Sequence, residues 1–270
     1  MKMHSAGLKV LAAVLAATPA PALAWGQTGH RVVAAIADDH LSGLSHAQIR
    51  QILGVESLDE AGTWPDEMRS EKTPFWQRTA NPWHYVTIGG HRYDLAPPEG
   101  DAIVALAKFR AALLDPATSK EDQQVALRFI VHLVADLHQP LHVGKPGDRG
   151  GNNVKVTWFG KPTNLHAVWD SAIVDDQGLS FTELAERLDR HISPETEVDW
   201  WVKNPVVWTA EGAQLRDTLY PAATDLGYDY AHVFTPVVNK RLSMGGIRLA
   251  AYLNQLFEER VAPRDGRQAP

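Results

Sequence analysis

The sequence predicts a mainly α protein, a single compact multi-helix domain carrying one or two small β-hairpins. Apolar residues recur at helical spacing in segment after segment, and strand-like runs are few. No linker, repeat or low-complexity run divides the chain.

Segments 28–40 and 45–53 carry the first helical patterns, with Ser45 as the expected cap of the second. Segments 101–114 and 121–137 are the clearest amphipathic helices. The latter stops before Pro140, which cannot continue it. Further helices are expected over 164–174, 180–190, 198–216 and 236–259, the third of these kinked at Pro205. The strand-like pieces are 84–88 and 154–159.

Residues 1–24 read as a secretory signal peptide. Lys2 and Lys9 form a basic start, 10–17 is a short apolar stretch, and Ala22-Leu23-Ala24 is a small-x-small cleavage site. A retained N-terminal anchor is the alternative, but the apolar stretch is too short to span a bilayer. Cleavage leaves a chain that begins at Trp25. Residues 25–261 then form the domain, and 262–270 read as a loose tail. Export to a periplasm or the medium is the expectation. There is no cysteine, so stability rests on the core or on bound metal, and any metal site uses nitrogen and oxygen donors. No Asn-x-Ser/Thr sequon offers a glycosylation acceptor.

The net charge is −6, and without the two lysines of residues 1–24 the remainder stands at −8. Such a surface does not attract polyanions by its overall charge. A phosphate-binding function needs another source of positive field.

Twelve histidines decide little by number, but their spacing decides more. His132 and Asp136 lie four apart on one expected helix and leave the same face. His142 follows the break at Pro140, and His166 and Asp170 repeat the four-residue pair. The flanking Phe129, Ile130, Val131, Leu133 and Val134 make the first helix a buried one. Buried His and Asp must be paired or bound to metal. Asp66 in Thr63-Trp64-Pro65-Asp66, His84 in Asn81-Pro82-Trp83-His84 and His30 then become further candidates. His138 points away from the His132/Asp136 face and is expected to support ligands rather than be one. The tryptophans at 200, 201 and 208 read as core rather than as a nucleic-acid surface.

These pieces resemble the zinc nucleases of the S-one/P-one family. They are Trp25-Gly26 to Gly29-His30, Trp64-Pro65-Asp66 with Arg69, Trp83-His84-Tyr85, the run from His132 through Asp136 to His142, Gly150-Gly151-Asn152, and Asn164 to Asp170. The resemblance implies a phospholipase C/P-one nuclease-like helical fold and three Zn²⁺. It implies that Asp66, His84, His132 and Asp136 hold the first ion, and His142, His166 and Asp170 the second. Trp25 and His30 would hold the third, with Asp136 shared between first and third. Trp25 would bind through its free α-amine and carbonyl oxygen, which makes signal cleavage part of building the site. The ions would supply the missing positive field and activate water for attack on phosphorus.

Arg69 matches the family arginine that stabilises transition-state charge, so it and Asp136 are the expected catalytic residues. The implied activity is endonucleolytic cleavage of single-stranded RNA and DNA to 5′-phosphorylated products, with 3′-nucleotidase activity. A monomer is expected. Fungal members carry an aspartate where this chain has Thr87, so the charged partner of the arginine is missing at that position. Tyr85 is a candidate base-stacking platform or an ordinary packing residue. Asn152 and Asn153 contact substrate or shape a turn. A zinc phospholipase C and a non-enzymatic zinc-binding protein are the alternatives. Asp rather than Glu at 170, the long interval from His142 to His166, and Arg69 favour the nuclease.

Overall fold

Serine, asparagine and aspartate caps set where most of the helices begin. In this computed structural model, which describes residues 25–262, the expected signal peptide and all but the first residue of the expected tail lie outside the described residues. Helix α1 (Gln27–Asp39) is followed by α2 (Gly43–Leu53) and α3 (Leu58–Glu67). The cap of α2 is Ser42 rather than Ser45: the Ser42 side chain accepts from the Ser45 backbone N–H. Ser57 and Glu60 close a capping box on α3, a helix absent from the sequence expectation. Its Ser-x-x-Glu signal was present but was masked by Pro65 within the helix.

Helices α4 (Ala102–Leu114) and α5 (Lys120–Asp136) agree closely with expectation and are capped by Asp101 and Ser119. A short α6 (Leu165–Ala167) passes through a π-turn (Val168–Ala172) into α7 (Ile173–Asp175). Then come α8 (Phe181–Asp189), α9 (Pro194–Trp200), α10 (Pro205–Arg216) and α11 (Tyr228–Val261).

Two prolines act differently from expectation. Pro205 does not kink a helix but starts α10 behind the Asn204 cap, where its missing N–H costs nothing. Pro236 does not start the last helix. It lies inside α11, which forgoes one backbone bond and continues.

The second expected hairpin is also absent. Strand β1 (Val86–Thr87) pairs in parallel with β2 (Val143–Gly144), and residues 81–84 form a 3₁₀ turn instead of extending it. One hairpin does form, β3 (Lys155–Trp158) with β4 (Lys161–Asn164), turning at Phe159 and Gly160 with φ of 48° and 75°. Strand β5 (Asp225–Leu226) adds to β3 in parallel.

The centre of the fold is α1 and α5 packed against α11, with α3 between α1 and α5, and α4 on α5. Val33, Ile36, Leu133, Val134, Leu242 and Leu249 are fully buried there. Gly246 lets α1 and α11 approach, since a Cβ would stand 2.5 Å from the Ile36 Cγ2. Trp208 is core, whereas Trp201 is half exposed. Among the described residues no helix is long and apolar enough to cross a membrane.

Candidate metal centre

Each candidate ligand sits at an element's end or on a buried face. Asp66 closes α3, His84 ends the turn Asn81–His84, and His142 ends the turn Pro140–His142 that follows α5. His132 and Asp136 share the buried face of α5, while His166 and Asp170 come from α6 and the π-turn after it. His30 projects from α1. The ring of Trp25 is fully buried and its indole N–H donates to the Ala135 carbonyl at 2.9 Å. The Gly26 N–H donates to the Asp170 carbonyl at 2.6 Å. The start of the domain is thereby fixed between the two carboxylate-bearing segments.

The donor atoms gather in three groups, two of which share His132: His84, His132 and Asp136; His142, His166 and Asp170; and His30 with Asp66 and His132. In each, the donor atoms lie within 4.8 Å of one another. Asp136 joins the groups. Its Oδ2 faces His132 Nε2 at 3.1 Å and His84 Nδ1 at 3.3 Å. Its Oδ1 faces His30 Nε2 at 3.4 Å and His142 Nδ1 at 3.5 Å. Asp170 Oδ2 lies 2.9 Å from His166 Nε2, and its Oδ1 lies 3.6 Å from His142 Nε2.

Three of the rings have their tautomer set by carbonyls, which can only accept. The Nδ1–H of His132 donates to Gly62 O at 2.8 Å, that of His142 to His84 O at 2.7 Å, and that of His166 to Gly150 O at 2.7 Å. In the neutral ring this leaves the Nε2 lone pair aimed inward, the arrangement a metal requires. Buried without a hydrogen-bond partner are both His30 nitrogens, both Asp136 oxygens, His142 Nε2 and Asp170 Oδ2. Leaving such groups unsatisfied costs about 1–3 kcal/mol each. Divalent cations fit this donor set, since they engage lone pairs from several ligands at once and balance the carboxylate charge.

The electrostatics agree. Burial lowers the pKa of His30 and His84. Burial also works against protonation of His142, but Asp136 and Asp170 prevail and push it up to about 9. His132 is likewise raised, by Asp136 and Asp66 against its burial. Asp136 sits well below the usual carboxylate range: burial opposes this, but His132 and His142 outweigh it. The carboxylates thus draw protons onto the imidazoles, and a metal ion would compete for those same lone pairs.

Beside this cluster opens a cleft of about 440 Å³, with Arg69, Tyr85, Thr87, Asn152, His142 and His166 in its lining. Arg69 donates to Asp66 Oδ1 at 3.2 Å and to Asn81 Oδ1 at 3.4 Å. Asn81 thus holds the arginine that Thr87, on the edge strand β1, cannot pair with. Tyr85 is 41% exposed at the cleft, as a stacking surface must be. The Asn152 and Asn153 side-chain N–H groups donate to Arg149 O and Gly147 O at 2.9 and 2.8 Å, so both shape the turn, and only Asn152 also lines the cleft.

Sequence reasoning missed two residues. One is Asn81, and the other is Gln139, fully buried, whose amide donates to Asp170 Oδ1 at 2.5 Å. Its only sequence signal is a position between two ligand-bearing segments. His138 is buried away from the cluster, its Nδ1–H donating to Val134 O at 2.7 Å.

Comparison with known proteins agrees with this arrangement. The family described as S1/P1 Nuclease matches residues 25–258. The chain is 31% identical over 283 residues to Endonuclease 4 of Arabidopsis thaliana, covering 88% of this chain and 91% of that protein. It is 32% identical over 274 residues to Endonuclease 5 of the same plant, covering 87% and 91%. It is 29% identical over 270 residues to Nuclease S1 of Aspergillus oryzae, covering 87% and 92%. With its helical architecture, its gathered donor set and a family match over residues 25–258, the chain belongs to the S1/P1 nuclease family.

Proposed function

We propose that this protein is a metal-dependent nuclease that hydrolyses phosphodiester bonds of RNA and DNA. It prefers single strands, leaves 5′-phosphorylated products and also acts as a 3′-nucleotidase. One observation supports this reading above others: buried, unsatisfied imidazole and carboxylate atoms converge beside an open cleft that carries an arginine and an exposed aromatic ring.

In this reading three Zn²⁺ are held. Asp66, His84, His132 and Asp136 serve the first, and His142, His166 and Asp170 the second. The α-amine and carbonyl of Trp25, with His30 and Asp136, serve the third. That assignment requires cleavage after Ala24 and therefore export. The contact of His30 Nε2 with the Asp136 oxygen that faces away from His132 supports giving the third ion a share of this carboxylate. When bound, the cations supply the field that receives phosphate and lower the pKa of water toward neutrality.

The chain's own residues do the rest. Arg69, steadied by Asp66 and Asn81, places its guanidinium against the developing charge on the phosphoryl oxygens. Tyr85 offers its ring to an unstacked base, which a duplex cannot present without opening. The burial of the cluster removes competing water from around the charges, which strengthens every interaction there.

The test is metal analysis of the purified chain beginning at Trp25, with release of acid-soluble nucleotides from single-stranded and duplex substrates. Three zincs per chain, loss of activity with chelator and recovery with zinc are expected. Zinc uptake without turnover would make it a binding protein, and hydrolysis of phosphatidylcholine instead of nucleic acid would make it a phospholipase.

A further inference from the structure

The cleft has a second charged wall that the metal cluster does not account for. Its lining includes Arg69, Lys145 and Arg149 and no aspartate or glutamate outside the metal cluster, in a chain whose net charge is −6. Two of these cations are committed within the protein. Arg69 pairs with Asp66, and Lys145 pairs with Asp217 at 3.0 Å while lying 4.4 Å from the Tyr220 ring centre. Arg149 makes no hydrogen bond or ion pair through its guanidinium among the described residues. Arg149 lines the same cleft as Tyr85 and Arg69.

The backbone beneath Arg149 sharpens the point. Its φ is 55°, in the left-handed region, between Gly147 at 87° and Gly150 at 62°. A side chain there costs roughly 1–2 kcal/mol relative to the right-handed form, and glycine would sit without strain. The loop does not need the Arg149 side chain for its shape. The Asn152 and Asn153 amides close the turn, Asp148 accepts from the Gly150 N–H at 2.8 Å, and the Tyr220 hydroxyl donates to Asp148.

The buried Arg216 guanidinium donates to Ile88 O, Val143 O and Gly144 O at 3.0, 2.8 and 3.1 Å, tying together the two strands that frame the cleft. An uncommitted guanidinium on a strained backbone thus lines the cleft.

We propose that Arg149 forms a subsite for a second phosphate of a single-stranded nucleic acid, the one flanking the bond that is cut. This rests on the nuclease reading above and deepens it. A strand whose base stacks on Tyr85 carries further phosphates within the same cleft that Arg149 lines. Guanidinium binds phosphate by paired charge-assisted hydrogen bonds, and such a contact carries no base information. The subsite makes the enzyme favour strands over single-phosphate substrates.

The experiment compares kcat/KM for a short single-stranded oligonucleotide with that for a dinucleoside monophosphate, which has only the scissile phosphate. It uses the full metal-loaded chain beginning at Trp25, as wild type and as R149Q, R149K and R149G. The ratio of oligonucleotide to dinucleoside monophosphate should fall about tenfold in R149Q, mostly through KM and evenly across base sequences, and R149K should recover part of it. The slope of log KM against log salt for the oligonucleotide should shrink by about 0.7, the value of one phosphate contact on a single strand.

R149G removes the strained side chain and should melt no lower than R149Q while showing the same fall in ratio. An unchanged ratio and salt slope in an active R149Q overturns the subsite, as does an equal loss on both substrates. If the metal-loaded wild type cuts neither substrate, the nuclease reading itself fails, a distinct result.

Discussion

Gly150 accepts the Nδ1–H of His166 at 2.7 Å while its own α-carbon lies so close to Leu141 that a Cβ would stand 2.3 Å from the Leu141 carbonyl oxygen. One residue thus orients an imidazole and packs the cleft loop against the segment bearing His142. Gly150→Ala must move one of these, at a φ of 62° that alanine resists. A loss of roughly 2–3 kcal/mol is expected from strain and the disturbed contact. Thermal melting and metal content should both fall. A variant that melts and binds metal normally would show that the loop has slack.

Asp136 faces four histidines and is completely buried. Asp136→Asn removes the shared negative charge and should reduce zinc per chain by more than one ion, with turnover lost. Elemental analysis on the gel-filtered variant decides it. Retention of every ion would end the idea that this carboxylate is shared.

Arg69 is gripped by Asp66 and Asn81 rather than by residue 87. Arg69→Ala is expected to lower kcat by about two to three orders of magnitude, as for loss of a group that stabilises developing charge, with zinc content retained. Asn81→Ala should lower kcat by a smaller factor, through a less ordered guanidinium. If Asn81→Ala matched wild type, Asp66 alone would suffice to hold Arg69.

A few residues fused directly before Trp25 convert its amine into an amide. The buried indole anchor to Ala135 and the Gly26 bond to Asp170 leave little room for extra chain. The fusion should have at most a few per cent of the activity on the scale of a lost metal ligand, and proteolytic release of Trp25 should restore it. Full activity with the tag in place would exclude the amine as a donor.

Away from the cluster, His40 bridges α1 to α8 and α9, with Nε2 2.8 Å from Asp189 and Nδ1 3.2 Å from Glu197. Burial lowers its pKa, but the two carboxylates together raise it above its ordinary value. A raised folded pKa stabilises fully below the unfolded value of about 6.5, and the gain is lost as pH climbs through the folded value. His40→Gln should therefore melt lower than wild type at about pH 5.5, and the gap should close by about pH 8.5. A gap independent of pH would mean that His40 contributes by packing alone.

Local rules made part of this molecule readable and left the rest hidden. The four-residue spacing of His132 with Asp136, and of His166 with Asp170, put each pair on one face, and the structure shows each pair in contact. The amphipathic pattern likewise gave α4 and α5 to within a residue or two. Proline defeated the same rules where context reversed its meaning: Pro65 and Pro236 lie within helices, while Pro205 begins one. The parallel pairing of Val86 with Val143 could not be read from two-residue strands so far apart. Arg216 and Asn81 were equally silent, because their roles come from distant carbonyls and a side chain that only folding brings near.

The donor cluster draws on segments from His30 to Asp170 using only imidazole and carboxylate chemistry, in a chain without cysteine. Oxidants and reductants therefore find no thiol to convert at the heart of the molecule. Its working state answers instead to cation supply. A neighbour that scavenges divalent ions would silence it without cutting, modifying or unfolding the chain, and replenishment would reverse that silence.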